Sequence, residues 1–286
     1  MQHILTLIAR DQALSPAVLA RVRDVVGGEE PVILSPGEAA DIPCPGPGAP
    51  IAEALAGLPI DWAILPAANR RKRLLVADMD STIVTSETLD ELAAAAGHGA
   101  AVAAITRRSM AGEVDFASAL RERVAMLRGL TLDALDRTLA RTALMPGAAT
   151  LVRTMRAHGA YTALVSGGFT WFTGRIATQA GFDTHRANVL LDDGTVLTGH
   201  VGEPILDRDA KRTALLELAA ACGITVADAL AVGDGANDLA MIETAGLGVA
   251  YHAKPIVAGA ARVRIEHCDL RALLFLQGYR ATEFVP

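Results

Sequence analysis

The chain has 286 residues, a formal net charge of -6 and 51% hydrophobic residues, which indicates a globular protein with room for two domains. Phosphate backbones require clustered Lys and Arg, and the only basic cluster is RRKR at residues 70–73, so no nucleic-acid partner is predicted. No stretch approaches the roughly 20 apolar residues of a membrane span, which excludes a membrane partner as well.

The cysteine content and the chain start bear on location. Cys44, Cys222 and Cys268 are odd in number and have no metal-binding spacing, which predicts reduced thiols in a cytoplasmic protein. The apolar run at residues 4–9 is too short for a signal peptide. The basic cluster at residues 70–73 is predicted to lie in an exposed linker.

Residues 1–70 are predicted to form a small α+β domain. Apolar patterning predicts strands at residues 4–9, 32–34 and 62–65 and helices at residues 16–26 and 51–58. The Pro- and Gly-rich stretch IPCPGPGAP at residues 42–50 is expected to break any regular element. This domain contains no paired carboxylates, no phosphate-binding loop and no nucleophile, so we expect it to be dispensable for chemistry.

The stretch LLVADMDST at residues 74–82 organises the rest of the chain. Its four apolar or small residues do not alternate with polar ones, as expected for a parallel strand that is covered on both faces. Asp78 and Asp80 follow this strand two positions apart and would point to the same side, where their repulsion favours a divalent cation. The alternative is that one of the two aspartates caps the following turn.

An insert at about residues 86–145 shows helical periodicity and predicts a cap over the strand ends. Its helices are expected at residues 87–96, 102–110, 116–127 and 132–142, with Asp115 and Thr131 as N-caps. Phe116, Leu120 and Val124 begin one apolar stripe on the third of these helices.

The core resumes after Pro146 with alternating helices and strands. Helices are predicted up to residue 156 and at 171–180, 210–222, up to 245 and at 270–277, and strands at 161–165, 187–191, 229–232, 248–251 and 263–265. The sequence DDGT at residues 192–195 predicts a hairpin turn. The fold class is therefore α/β, a doubly wound, Rossmann-like parallel sheet with a helical cap insert and a small N-terminal α+β domain.

Three later fragments fit the chemistry of Asp78 and Asp80. The strand at residues 161–165 ends in Ser166-Gly167-Gly168, where a hydroxyl and backbone N–H groups could hold a phosphate. Lys211 lies near a helix start, and the strand at residues 229–232 runs into GDGAND at residues 233–238. Ligands bind at the carboxyl ends of strands in an open parallel sheet, so these fragments are expected to form one site.

The ordered set DMDST, SGG, Lys211 and GDGAND resembles the haloacid dehalogenase superfamily of phosphotransferases, and within it the phosphoserine phosphatases. The resemblance extends from about residue 73 to the C-terminus. It implies that Asp78 is the nucleophile and Asp80 the general acid and base. It also implies Mg²⁺ bound by Asp78, Asp234 and the backbone carbonyl of Asp80, with Asp238 supporting that site from outside.

The resemblance also implies the contacts to the substrate, which would be the small molecule O-phospho-L-serine. Its phosphoryl group would lie on Ser166, Gly167 and Lys211, with Asn237 on the substrate side. Glu87 and Arg123 match the positions that hold the substrate ammonium and carboxylate, and Met110, Phe116 and Gly168 match positions that line the closed cavity. From the residues alone, Arg123 on a solvated helix face is an equally good interpretation, since Arg121 and Glu122 flank it.

Several alternatives stay open. The first 70 residues could be a regulatory module resembling an ACT domain, through which the chain would form a homodimer, or a structural extension. A phosphatase for another small ester, a phosphotransferase that uses an alcohol, and a non-catalytic amino-acid sensor are the competing functions. GDGAND lacks the third glycine of a dinucleotide fingerprint, and neither a P-loop nor a GxSxG elbow occurs.

Overall fold

The computed structural model describes residues 2–110, 113–207 and 209–286, with the side chain of Met110 left outside this description. In these ranges, each helix is too short or too polar to cross a bilayer. The described residues form an N-terminal antiparallel sheet with two helices, a parallel-sheet core and a helical cap inserted into that core.

The N-terminal domain is an antiparallel sheet with helices on one face. The strand order is β2-β3-β1-β4, and neighbouring strands are antiparallel. Leu5 and Leu7 of the first strand pack with Leu19 and Val22 of the first helix, whereas Ile8 faces the other way into the core of the protein. The elements are β1 (His3–Ala9), α1 (Pro16–Val26), β2 (Val32–Ser35), β3 (Ala39–Cys44), α2 (Ile51–Ala54) and β4 (Ile60–Pro66).

Two predictions for this domain are wrong in detail. Strand β3 was not predicted, and it enters the Pro-rich stretch that we expected to break any element. Pro43 is tolerated there because β2 pairs with β3 only as far as Asp41, so the missing N–H of Pro43 costs no ladder bond on that side. Helix α2 ends at Ala54 instead of residue 58, and a turn over the next residues leads to β4.

The cap follows the first core strand. Its helices agree with the predicted ones to within a few residues at each end. Asp115 caps α5 by accepting a hydrogen bond from the backbone N–H of Ser118, as predicted, whereas Thr131 precedes α6 without a side-chain capping bond. The elements are β5 (Leu74–Ala77), α3 (Thr88–Ala95), α4 (Gly99–Met110), α5 (Phe116–Ala125) and α6 (Leu132–Arg141).

The core is a parallel sheet in the order β12-β11-β10-β5-β6-β7, which confirms the predicted α/β class. Leu75 and Ala77 of β5 pack on one side of the sheet, and Leu74 and Val76 pack on the other, so helices cover both faces. The remaining elements are α7 (Ala148–Ala157), β6 (Tyr161–Phe169), α8 (Thr170–Ala180), β7 (Thr184–Asn188), β8 (Leu190–Asp192), β9 (Leu197–Val201), α9 (Ala210–Ala221), β10 (Ala229–Gly233), α10 (Leu239–Thr244), β11 (Leu247–Tyr251), α11 (Pro255–Ala260), β12 (Val263–Ile265) and α12 (Ala272–Leu276).

The hairpin β8–β9 departs from the prediction and reaches the cap. The turn at residues 192–195 is confirmed, but the strand predicted at residues 187–191 is in fact the end of β7 and the start of β8. The N–H of Gly129 donates to Leu197 O, and the N–H of Leu132 donates to Thr195 O, so the hairpin pairs with the α5–α6 connection. One corner of the cap is thereby attached to the core.

Buried charges join the N-terminal domain to the core. Asp61 is 4% exposed and accepts the backbone N–H groups of Glu266, His267 and Cys268. Arg70 donates to both carboxylate oxygens of Asp41, at 2.6 and 2.9 Å, from the connection that follows β4. Such bonds to buried carboxylates fix the two sheets against each other.

The expectation of an exposed linker at residues 70–73 is therefore wrong in part. Arg70 is partly buried, and Lys72 is buried with its ammonium donating to the carbonyls of Asn69 and Ala227. Arg71 and Arg73 do remain exposed. The side chains of residues 70–73, which we expected to be exposed together, alternate between the interior and the surface.

Candidate active site

The predicted site residues converge at the carboxyl edge of the parallel sheet. Strands β10, β5 and β6 are neighbours; Asp234 and Asp78 directly follow β10 and β5, and Ser166 lies in the last part of β6. Lys211 enters from the first turn of α9. Because the carboxyl ends of parallel strands meet at the same edge, residues more than 150 positions apart in the chain come into contact.

Three buried carboxylates form the centre of the site. Oxygens of Asp78, Asp234 and Asp238 lie within 4.8 Å of one another. The Nζ of Lys211 lies 2.6 Å from Oδ1 of Asp78 and 2.5 Å from Oδ1 of Asp238. Oδ2 of Asp238 accepts the backbone N–H of Gly235 at 2.9 Å, so both oxygens of Asp238 already have partners.

The GDGAND loop requires its first glycine. A Cβ at Gly233 would collide with the carboxylate of Asp238, which folds back over this position. The Oδ1 of Asn237 lies 2.5 Å from the position that a Cβ of Gly235 would take, so the Asn237 side chain turns back over the loop. Thr82 donates to Oδ1 of Asp234 at 3.5 Å, which connects this loop to the turn after β5.

The charges in this cluster do not balance. Burial raises the pKa of Asp78 well above its ordinary value, and the charge of Asp238 adds to the rise while Lys211 opposes it. Burial also raises the pKa of Asp234. Burial acts to lower the pKa of Lys211, but the charges of Asp238 and Asp78 raise it above its ordinary value. Three carboxylates around one buried ammonium leave the site short of positive charge.

This donor set fits a hard divalent cation. Carboxylate oxygens are the ligands that Mg²⁺ prefers, and a cation would stabilise the charged forms of Asp78 and Asp234, which burial and the charge of Asp238 disfavour. Both oxygens of Asp238 are bonded, one to Lys211 and one to Gly235. The supporting role that the resemblance implies for Asp238 stays a prediction.

Asp80 lies beside this cluster in a different environment. Its Oδ1 accepts the backbone N–H of Thr88 at 3.0 Å. Its Oδ2 lies 3.1 Å from the position that a Cβ of Gly168 would occupy, so this oxygen faces the SGG segment. Burial raises the pKa of Asp80 to about 7, against the hydrogen bond from Thr88. A carboxyl group with such a pKa can both donate and accept a proton near neutral pH.

The SGG segment lies within the last part of β6. Ser166 is 2% exposed, and its Oγ accepts the N–H of Gly168 at 2.9 Å. The carbonyl of Gly167 accepts a hydrogen bond from Nδ2 of Asn188 at 2.9 Å. The strand continues through this segment to Phe169 instead of ending at residue 165 as predicted, with a register shift against β7.

Arg123 points inward from the cap. Its guanidinium donates to the carbonyl of Ala119 at 3.3 Å and to Oγ1 of Thr106 at 3.5 Å, and among the described residues no carboxylate lies within 4.0 Å of it. Burial lowers the pKa of Arg123, while Asp90 and Glu87 act in the opposite direction. Arg123 is thus a partly desolvated cation that has no carboxylate partner among the described residues. This argues against the interpretation that Arg123 lies on a solvated helix face.

The other predicted cap residues lie at different depths. Phe116 is partly buried, and its ring lies 3.3 Å from the position of a Cβ on Gly167, so the cap touches the SGG segment. Glu87 is exposed, and its Oε1 accepts the hydroxyl of Ser81 at 2.8 Å. The side chain of Met110 lies outside the described residues, so its predicted contact with the substrate stays a prediction.

Three residues at the site were missed by the sequence analysis. Thr88 holds Asp80, Asn188 holds the SGG segment, and the ammonium of Lys254 lies 3.6 Å from Oδ2 of Asp234. A polar residue at the carboxyl end of a strand is the signal that marks Asn188, but the predicted strand at residues 187–191 hid it. Thr88 and Lys254 act on the site from loops and helix starts, for which the sequence carries no comparable signal.

Comparisons with known proteins agree with these motifs. A family model described as haloacid dehalogenase-like hydrolase matches residues 75–243. A phosphoserine phosphatase of Polaromonas sp. is 47% identical over 210 residues, which are 71% of this chain and 89% of that protein. A phosphoserine phosphatase of Streptomyces coelicolor is 42% identical over 236 residues, which are 82% of this chain and 57% of that protein. The chain thus spans little more than half the length of the Streptomyces relative.

A solved structure agrees over nearly the whole chain. The structure of a probable phosphoserine phosphatase from Vibrio cholerae superimposes with a TM-score of 0.80 at 32% identity, covering 99% of this chain and 88% of that one. The resemblance expected from DMDST, SGG, Lys211 and GDGAND is confirmed. The chain belongs to the haloacid dehalogenase-like hydrolases.

Proposed function

We propose that this protein hydrolyses O-phospho-L-serine to L-serine and phosphate, with Mg²⁺ and through an aspartyl-phosphate intermediate. The observation that carries the proposal is the buried carboxylate of Asp78, which lies 2.6 Å from the Lys211 ammonium with Asp234 and Asp238 beside it. Relatives that match most of this chain carry the name phosphoserine phosphatase. The reaction would be the last step of serine biosynthesis.

Asp78 is the proposed nucleophile. One of its oxygens forms a bond to phosphorus while the bond between phosphorus and the serine oxygen breaks, which splits one difficult displacement into two. Asp80 gives its proton to the departing serine oxygen. In the second step Asp80 takes a proton from water, the water oxygen bonds to phosphorus, and the acyl-phosphate bond breaks to regenerate Asp78. The pKa of about 7 supports this double role for Asp80.

The phosphoryl oxygens are proposed to lie on Ser166, Gly167 and Lys211, with Asn237 at the substrate side. Lys211 is buried and held by Asp238, so its charge is fixed where negative charge develops in the transition state. Bound through Asp78, Asp234 and the backbone carbonyl of Asp80, with Asp238 in support, Mg²⁺ would offset the charge of the carboxylate and of the phosphate.

The cap is proposed to select the amino acid. Arg123 would donate to the substrate carboxylate, since its guanidinium lacks a carboxylate partner among the described residues. Glu87 would receive the ammonium group. Met110, Phe116 and Gly168 would line the cavity, and the contact between Phe116 and Gly167 supports a cap that covers the phosphate loop. Opposite charges on the cap side of the cavity fit the ammonium and carboxylate groups of a zwitterion.

A phosphate-release screen tests the proposal with esters that differ from phosphoserine by one group. Phosphoethanolamine lacks only the carboxylate, and the phosphate ester of 3-hydroxypropionate lacks only the ammonium group. We expect kcat/KM for phosphoserine to exceed that for either analogue by about 30-fold or more, as expected when a charged partner is lost. A preference for either analogue would assign the chain to another small phosphate ester, and glycerol phosphate formed in the presence of glycerol would reveal a phosphotransferase.

A further inference from the structure

Thr88, the first residue of helix α3, is a fully buried polar residue that the proposed mechanism does not use. Its backbone N–H donates to Oδ1 of Asp80 at 3.0 Å. Its Oγ1 is the one buried side-chain polar atom, among the described residues, that has no hydrogen-bond partner.

The bond from Thr88 makes the two oxygens of Asp80 unequal. Oδ1 is committed to the N–H, whereas Oδ2 lies 3.1 Å from the Cβ position that Gly168 leaves free. The Oγ of Ser166 lies at the same distance from that position. Rotation of the carboxylate would break the bond to Thr88, so Oδ2 is the oxygen held toward the phosphate-binding segment.

Thr88 belongs to the cap and not to the parallel sheet. Helix α3 packs against α4 and α6, and Leu89 and Leu92 place its apolar side in the core. Hydrogen bonds within the connection from Asp80 to Thr88 also hold it in place. Ser81 donates from its N–H to Ser86 O and from its hydroxyl to Glu87. The direction of Asp80 is therefore determined from the first turn of the cap.

We propose that Thr88 is a positioning residue whose backbone N–H, acting from the cap, aims Oδ2 of Asp80 at the oxygen that leaves phosphorus. This inference rests on the proposed function, because it gives Asp80 the proton that the leaving oxygen receives. A carboxyl group acts as a general acid only within hydrogen-bond reach of its target. A displacement of Oδ2 by about 1 Å is therefore enough to lower the rate.

The position of Thr88 allows its two polar groups to be removed separately. Proline is tolerated at the first position of a helix, where the N–H has no intrahelical partner, and Glu87 before it is already extended. Thr88→Pro therefore removes the N–H that holds Asp80 and leaves α3 able to form. Thr88→Val removes only the hydroxyl, and Thr88→Ser keeps both groups. Gly99→Pro places proline at the first position of α4, another cap helix, and serves as the matched control.

The decisive readout compares two leaving groups in the first chemical step. Serine leaves as an alkoxide that needs a proton, whereas p-nitrophenolate leaves without one. In single-turnover measurements, Thr88→Pro should slow the release of serine from phosphoserine about 100-fold. The same variant should slow the release of p-nitrophenolate from p-nitrophenyl phosphate by less than about threefold. Thr88→Val and Thr88→Ser should lose about threefold or less on both esters, and Gly99→Pro should treat both esters alike.

Equal losses on both esters in Thr88→Pro, or a loss in Thr88→Val as large as in Thr88→Pro, would assign Thr88 a structural role and overturn the proposal. Failure of the wild-type protein to hydrolyse either ester would instead refute the proposed function. In that case, crystal structures of the wild type and of Thr88→Pro with magnesium and beryllium fluoride would test, without an activity measurement, whether Thr88 orients the carboxylate of Asp80. We expect Oδ2 of Asp80 to turn away from Gly168 only in the variant, and an unchanged carboxylate would refute the inference.

Discussion

The Nζ of Lys211 and Oδ1 of Asp78 form an ion pair 2.6 Å long in which each side chain is less than 10% exposed. The proposed nucleophile and the proposed phosphate-binding cation are thus held in direct contact. Asp238 holds the same ammonium from the other side at 2.5 Å. Lys211 therefore stays in place when the charge on Asp78 changes.

Asp78→Asn should lower kcat by about 10⁵-fold or more, because an amide does not attack phosphorus. The protein should remain folded, since the amide has the same shape and Lys211 keeps its bond to Asp238. Phosphate release and circular dichroism on the same preparation test both statements. Asp24→Asn, an exposed position in α1, is the matched control. A folded Asp78→Asn protein with near-normal turnover would remove Asp78 from the mechanism.

Mg²⁺ should stabilise the protein as well as activate it, because the cation relieves the repulsion among Asp78, Asp234 and Asp238. At a concentration 100 times the dissociation constant, binding to the native state contributes about 2.7 kcal/mol, which raises Tm by roughly 5–10 °C. EDTA should abolish turnover and this rise in Tm together. Asp234→Asn should lose most of the rise, and an equal rise in that variant would place the cation elsewhere.

The sequence was sufficient for the parts of the site that follow strands. Asp78, Ser166 and Asp234 each stand at the end of a short apolar run, so the periodic pattern gave both the strand and the edge at which its polar residue lies. The ends of the cap helices were predicted to within a few residues, since an N-cap such as Asp115 marks where a helix begins.

Contacts between distant elements were not predictable. Asp61 is a single charge in an apolar strand, and its partner His267 lies 206 positions away in the chain. Arg70 belongs to a basic run, and its partner Asp41 lies 29 positions away. No periodicity marks such a pair, and the local sequence does not distinguish a partly buried arginine such as Arg70 from an exposed one. The hydrogen bond from the backbone N–H of Thr88 to Asp80 was not predictable for a related reason. Every residue except proline has this N–H, so the bond depends on where the cap lies and not on the residue type.

Arg123→Ala should lower kcat/KM for phosphoserine by about 30-fold or more, because a desolvated carboxylate would lose its charged partner. The loss on phosphoethanolamine, which has no carboxylate, should stay below about threefold. Arg123→Lys should recover little, since an ammonium cannot give the two parallel bonds of a guanidinium. Arg121→Ala on the same helix, which removes an exposed pair with Glu203, is the control and should leave both esters unaffected. Equal losses on both esters in Arg123→Ala would make Arg123 structural.

Asn188→Leu should weaken phosphate binding through the backbone of the SGG segment. Asn188 is 1% exposed, donates to Gly167 O at 2.9 Å and accepts from the N–H of Leu206 at 2.7 Å, so the variant leaves both backbone groups buried without that partner. We expect the inhibition constant of inorganic phosphate to rise about tenfold and the free energy of unfolding to fall by about 2–3 kcal/mol. Thr178→Leu, on an exposed part of α8, is the control. An unchanged inhibition constant in a destabilised Asn188→Leu protein would limit Asn188 to a structural role.

Asp61→Ala should separate stability from catalysis. Its carboxylate accepts three backbone N–H groups at residues 266–268, and the variant leaves these donors without the acceptor that joins the N-terminal sheet to the core. We expect the free energy of unfolding to fall by about 3 kcal/mol and Tm by about 6–12 °C, while kcat/KM at 20 °C changes less than about twofold. Asp24→Ala in the same domain, where the carboxylate is mostly exposed, should shift Tm by no more than about 2 °C. Because residues 1–70 supply none of the proposed catalytic groups, a folded Asp61→Ala protein with a large loss of kcat would show that the N-terminal domain acts on the site itself.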